Sequence, residues 1–170
     1  DKKKINFEYN NIKILGDDEV IFNYNNSEID IALGIGIVPY KKERINLINL
    51  FNRKRYHITS VVSSKTIISD TVRLKKGVQI CQGALIQANS IIGDFSIINT
   101  NVSVDHDTII GKNCHIAPGS IICGNVTIFD NVFIGAGSTI IQGITIGSNS
   151  FVPAGSVVTK DISENSKYNH

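Results

Sequence analysis

A chain of 170 residues with 42% hydrophobic and 19% charged residues can bury a core and amounts to one or two small domains. Seventeen Lys and Arg against fifteen Asp and Glu leave a formal charge of +2, too weak a field to draw nucleic acid or an anionic membrane, so a small molecule is the expected partner. Three cysteines, Cys81, Cys114 and Cys123, have no CxxC spacing and an odd count; this fits neither a disulfide framework nor a zinc ribbon and points to a reducing cytoplasm.

The lysine-rich start, DKKKINFEYN, lacks the apolar core of a signal peptide, and no apolar stretch approaches the roughly 18–20 residues of a membrane span. Next, SEIDIALGIG reads as a buried strand ending at Gly34 and Gly36. PYKKERINLINLFNRKR then reads as a helix, with Pro39 near its first turn and Ile45, Leu47, Ile48 and Phe51 as its apolar stripe. Residues 1–61 therefore form a small α/β unit.

From Val62 the pattern changes to a period of six. Every sixth residue from Val62 to Val158 is Ile, Leu or Val, seventeen in all. Four places after these aliphatics come small or β-branched residues such as Ser90, Ser96, Thr108, Cys114 and Ser120, a second inward column near a corner. Three places after each comes Gly, Asn or Asp, with Lys65, Thr71 and Phe95 as the exceptions. Those residue types tolerate the left-handed backbone region, so a sharp corner recurs every six residues. The unit is a short strand and a turn, which makes a parallel β-solenoid; with three sides to a coil, residues 18 apart stack at about 4.8 Å.

Two of the four histidines lie nine residues apart in VDHDTIIGKNCHIAPGS, residues 104–120. His106 holds the third position of its hexad, an outward corner. His115 holds the sixth position, on a flat side, in a column with Gln79, Ile97, Phe133 and Phe151. An outward apolar column implies a covering surface, and a subunit interface is the economical one. The two histidines are about one triangle edge apart, roughly 15–20 Å at about 3.3 Å per residue, so a shared site requires one histidine from each of two subunits.

The repeat resembles that of the hexapeptide-repeat acyltransferases, over residues 62 to about 163. Within that group, INTNVSVDHDTIIGKNCHIAPGSIICGNVTI is similar to bacterial acetyltransferases that use acetyl-CoA on UDP-4-amino-sugars, as N-acetyltransferases, or on sialic acid, as O-acetyltransferases. The resemblance implies a mainly β fold, a left-handed parallel β-helix (62–163) after a Rossmann-like nucleotide-sugar domain (1–61) and before a short tail (164–170). It implies a homotrimer with active sites between subunits, acting in glycan or surface polysaccharide biosynthesis. Two departures stand out: the glycine-rich turn after a first strand and the closing Pro-Ala-Lys are both absent from this sequence.

The resemblance also implies roles. His106 is the base that deprotonates the attacking nucleophile, which imidazole suits near neutral pH, and His115 lies against acetyl-CoA. Asp107 is the carboxylate partner that orients the ring, although it also occupies a corner where Gly, Asn and Asp recur for backbone reasons; Asp105 is the weaker competitor. Main-chain amides around Gly124 are candidate donors to the thioester oxygen. The main chain at Ala136 and Ala154 tracks the pantetheine arm, Asn99 holds the acceptor, and Gly34 and Gly36 belong to the nucleotide-sugar unit. Each glycine and asparagine here is equally a turn residue. The acceptor expected is the 4-amino group of a UDP-linked sugar, with a sialic acid hydroxyl as the alternative.

Two other classes share the solenoid. A zinc carbonic anhydrase needs three histidines, and with only His57 and His170 besides the pair, such a site is poorly supplied, so no metal is expected. A non-catalytic solenoid is separated from the enzyme by acetyl-CoA turnover.

Overall fold

The computed structural model describes residues 7–39 and 41–169; residues 1–6, Tyr40 and His170 lie outside the described residues. Seventeen two-residue strands follow one another from Val61–Val62 to Val157–Val158, each paired in parallel with the strand 18 residues away. They stack into three sheets, the faces of a prism. Face I carries Val61–Val62, Gln79–Ile80, Ile97–Ile98, His115–Ile116, Phe133–Ile134 and Phe151–Val152. Face II carries Ile67–Ile68, Leu85–Ile86, Ser103–Val104, Ile121–Ile122, Thr139–Ile140 and Val157–Val158. Face III has the five from Arg73–Leu74 to Thr145–Ile146.

The aliphatic first positions fill the prism; from Ile80 to Val158, all but Ile86 and others at 1–2% are fully shielded from solvent. The hydroxyls of the fifth position are buried without penalty because they reach main-chain carbonyls, most of them in the next coil. Ser90 Oγ donates to Asp105 O at 2.9 Å, Ser96 Oγ to Gly111 O at 2.8 Å and Thr108 Oγ1 to Cys123 O at 3.1 Å. Val78, Val102, Val126, Val132 and Ile144 fill the same column elsewhere, where no hydrogen bond has to be met.

Every sixth residue from Gly77 to Gly155 has a positive φ, which is why Gly, Asn and Asp recur at the corners. Phe95 obeys the geometry against its own preference, with φ at 60°. A bulky residue in that region is strained by about 1–3 kcal/mol. The strain is offset by packing: Phe95 is 7% exposed and joins Ile31, Leu33, Ile48, Phe51, Tyr56 and Ile58 in the second hydrophobic cluster. Its ring lies where a side chain on Gly77 would project, so that corner one coil below must be glycine.

The segment before the solenoid has a hairpin, β1 (Glu8–Tyr9) and β2 (Ile12–Lys13), a 3₁₀ turn (Asp18–Asn23), and one parallel crossover. In the crossover β3 (Asp30–Ile31) pairs with β4 (His57–Ile58) through helix α1 (Glu43–Arg53). Ile48 and Phe51 are the buried part of the expected stripe, whereas Ile45 and Leu47 are only partly covered. The strand is shorter than the sequence suggests, because residues 32–39 leave it and climb face I. The carbonyl of Leu33 accepts from the Gln79 amide, that of Ile35 from the Arg44 guanidinium, and that of Ile37 from the His115 ring. Arg44 also donates to Phe95 O at 3.1 Å, clamping helix, segment and solenoid together; burial lowers its pKa to about 10.

Part of the face I column finds its cover within the chain: Ile97 is only 4% exposed, whereas Phe133 and Phe151 stay partly exposed and stack at 5.6 Å beside a cavity roofed by α1.

Candidate active site

His106 stands on the corner between faces II and III. Its Nδ1 lies 2.9 Å from Asp107 Oδ2, so the imidazole N–H donates to the carboxylate and Nε2 is left as the acceptor nitrogen. Both side chains are more than half exposed. The hydrogen bond to Asp107, with the nearby charge of Asp105, raises the His106 pKa above its ordinary value near 6.5. Asp105 itself is occupied by the His106 backbone N–H at 2.9 Å, which leaves Asp107 as the ring's partner. The corner explains the pairing: the left-handed turn at Asp107, φ 56°, brings two adjacent side chains onto one edge.

Gly124 occupies the same corner one coil on. A Cβ there would come within 2.8 Å of His106 Nε2 and Cε1, so glycine is required for the ring to lie over the backbone. The Gly124 residue is buried, and its N–H makes no hydrogen bond among the described residues. The His106 ring thus lies over the Gly124 backbone, one coil on, whose N–H is unbonded among these residues.

His115 is a different kind of histidine. It is 9% exposed on face I, packed edge-on against Phe133 with ring centroids 4.9 Å apart. The Ile37 carbonyl, 3.1 Å from Nδ1, can only accept, so the proton is on Nδ1 and Nε2 accepts from Asn99 Nδ2, also at 3.1 Å. Burial depresses its pKa, opposed by the hydrogen bond the ring donates to the Ile37 carbonyl and reinforced by the nearby charge of Arg44. Asn99 is doubly committed, since its Oδ1 accepts from the Thr100 backbone N–H at 2.7 Å.

A depressed pKa in the folded state makes stability fall as pH drops below the ordinary value near 6.5, where the unfolded ring takes a proton that the folded one refuses. His106, with its raised pKa, acts in the opposite sense, its contribution being lost as pH rises. Urea unfolding between pH 5 and 8 is therefore expected to show a smaller acid loss in His115→Gln than in the parent. Equal acid losses in both would place the ring outside the packed position described.

The corners gather the expected residues into two groups. His106, Asp107 and Gly124 share the corner between faces II and III. Asn99, Ala136 and Ala154 lie on the corner between faces I and II, with His115 just before it. The two alanines are exposed, with backbone N–H groups that make no hydrogen bond among the described residues. Gly34 borders a cavity of about 590 Å³ that reaches this second corner at Gln82 and Thr100, while Gly36 borders another of about 250 Å³ beside Arg44 and Asn113. Neither glycine has a neighbour within 4 Å of an added Cβ, so packing within the chain does not explain either. Face I is opposite the His106 corner, so one subunit cannot bring the groups together.

Between the two corners runs face II, whose outward column is apolar and open: Ile67, Ile121 and Val157 are 71%, 47% and 54% exposed. Sequence reasoning assigned the covering role to the Phe column and missed this one, because Ser103 and Thr139 interrupt it. Among the described residues, no three His, Cys, Asp or Glu side chains gather to hold a metal ion, and no helix is long and apolar enough to cross a membrane. His57, the other described histidine, pairs with Asp30 at 2.8 Å.

The family described as bacterial transferase hexapeptide (six repeats) matches residues 89–124 and 125–160. Among solved structures, the chain is 30% identical to a histidine-to-alanine variant of GDP-perosamine N-acetyltransferase from Caulobacter crescentus, in complex with CoA and GDP-perosamine. The match covers 91% of this chain and 72% of that one, with a TM-score of 0.82. It is 26% identical to the acetyltransferase domain of PglB from Neisseria gonorrhoeae, over 91% and 75% of the two chains, with a TM-score of 0.83. WeeI from Acinetobacter baumannii is 26% identical over 98% and 79%, with a TM-score of 0.82. None of the curated proteins compared matches the chain. With the hexapeptide repeat matched over residues 89–160 and 30% identity across 72% of a sugar N-acetyltransferase, the chain belongs to the hexapeptide-repeat acyltransferases, as a sugar acetyltransferase.

Proposed function

We propose that the chain transfers acetyl from acetyl-CoA to the 4-amino group of a nucleotide-linked amino sugar, a UDP-sugar in first preference. The observation that carries the reading is His106 held by Asp107 over Gly124, an exposed imidazole whose carboxylate partner is fixed beside a backbone N–H unbonded among the described residues. His106 Nε2 takes the proton from the amine as it attacks the thioester carbonyl. The Gly124 N–H stabilises the charge that develops on the carbonyl oxygen. The C–N bond forms and the C–S bond breaks, and His106 returns the proton to the departing thiolate. Asp107 holds the imidazolium formed in between. The similarity to an enzyme crystallised with CoA and GDP-perosamine supports acetyl-CoA and a nucleotide-linked sugar as co-substrates, whichever the nucleotide.

Assembly completes the site in this proposal. Three copies packed through face II about a threefold axis bury Ile67, Ile121 and Val157 and set the His106 corner of one subunit beside the Ala136 and Ala154 corner of the next. The pantetheine arm then runs along the alanine corner, and the sugar nucleotide lies towards residues 32–36 and Asn99. His115 serves that corner by seating Asn99 and the 32–39 segment, having no ring nitrogen left over. The finer features of the fold belong to the same proposal: left-handed coils over 62–163, the crossover within residues 1–61 as part of a Rossmann-like domain, and 164–170 as a tail. Free Cys81, Cys114 and Cys123 suit the cytoplasm.

The test is an assay with acetyl-CoA against UDP- and GDP-linked 4-amino sugars and free sialic acids. Turnover is expected with a nucleotide 4-amino sugar. Turnover of sialic acid alone would replace N-acetylation with O-acetylation, and no turnover of any acceptor would leave a non-catalytic solenoid.

A further inference from the structure

The His106–Asp107 pair rests on a third residue. On the corner between faces III and I, Asn113, Asn131, Asn149 and Asn165 form an amide ladder, each Nδ2 donating to the Oδ1 one coil on, at 2.9–3.1 Å. On the His106 corner the same ladder begins at Asn89, whose Nδ2 donates to Asp107 Oδ1 at 3.1 Å. There it has to stop, because a carboxylate has nothing to donate to the next rung, Asn125. One Asp107 oxygen is thereby fixed by the coil below and the other is turned to His106 Nδ1. Asn89 is itself fixed, since its backbone N–H donates to Thr71 Oγ1 at 2.9 Å.

We infer that Asn89 is a positioning residue for the base: it holds the Asp107 carboxylate in the orientation that keeps the His106 ring aimed outward. The inference rests on the reading of His106 as general base. Without the Asn89 amide, an Asp107 side chain that is half exposed is free to rotate into solvent and release the ring. No other charged side chain replaces it. Asp105 is occupied by the His106 backbone, and the third-position neighbours one coil below and above, Ala88 and Gly124, carry no charge.

Asn89→Gly is the clean substitution, because glycine adopts the φ of 62° at this corner without strain and keeps the backbone N–H that Thr71 receives. The ring pKa of His106, followed by NMR in the intact protein, is expected to fall towards the ordinary histidine value in Asn89→Gly and equally in Asp107→Asn. The double variant is expected to show no further fall. With acceptor present, kcat is expected to drop about tenfold in Asn89→Gly, part of what the base itself contributes, with KM for acetyl-CoA within about twofold of the parent. A His106 titration unchanged or moved upward in Asn89→Gly would overturn the inference, as would additive effects in the double variant. The titration needs no turnover, so a shift without any activity would count against the enzymatic reading and leave the Asn89 relay standing.

Discussion

Replacing His106 by alanine is expected to lower kcat by about 100- to 10,000-fold, the range a general base contributes, with acetyl-CoA binding nearly unchanged. The fold has no stake in the ring. His106 is an outward third-position residue more than half exposed, and the same position holds Lys76, Ala88 and Gln142 in other coils. The loss is thus separable from unfolding. Asp107→Asn is the graded companion: asparagine keeps the left-handed corner and can extend the amide ladder towards Asn125, but it no longer stabilises an imidazolium. Its activity is expected between that of the parent and that of His106→Ala. The raised pKa of His106 adds a pH signature, an acid limb of kcat/KM above the ordinary histidine value that moves down in Asp107→Asn. Wild-type kcat in His106→Ala, measured with saturating co-substrates, would remove the base from this corner and leave only the fold.

How legible this was in the sequence differs from residue to residue. The hexad gave the solenoid its faces, corners and register because inward aliphatics and left-handed corners are both local requirements, and they repeat often enough to be unmistakable. Phe95 shows the limit: the residue type speaks against a positive φ, yet the corner adopts it because the neighbours 18 residues away enforce the coil and the second cluster rewards the ring. The histidine pair was visible, but not the difference between its members. What buries and neutralises His115 is the Ile37 carbonyl, 78 residues earlier in the chain, and no local pattern announces a main-chain contact at that separation. Asn89 was hidden for the opposite reason. As one corner asparagine among many it looks like turn chemistry, and only the coil stacking shows that its rung ends on a carboxylate. The covering surface was assigned to face I because its column is the more continuously aromatic, before residues 32–39 were known to lie across it.

Two inactive variants are expected to restore activity when they share a trimer. His106→Ala disables the corner between faces II and III, and Ala136→Trp blocks the corner between faces I and II, where the exposed alanine leaves room for a cofactor. If a site is made by the first corner of one subunit and the second corner of its neighbour, a mixed trimer contains sites with neither lesion. A mixed trimer of either composition has one intact junction among its three sites, so about a third of the parent's kcat per site is the expected recovery in the isolated mixed species. Each variant alone should stay at its own low rate, since every site in a pure trimer carries the lesion. The recovery depends on face II as the contact, because only that face has both corners as its edges; packing through face I would join the alanine corner to Phe95 and the asparagine ladder, far from His106. Co-expression with two different affinity tags isolates the mixed species, and acetyl-CoA turnover reads the result. Mixed trimers no more active than the pure variants would mean that the corners do not meet across subunits, and His106 would need a partner surface other than a second copy of this chain.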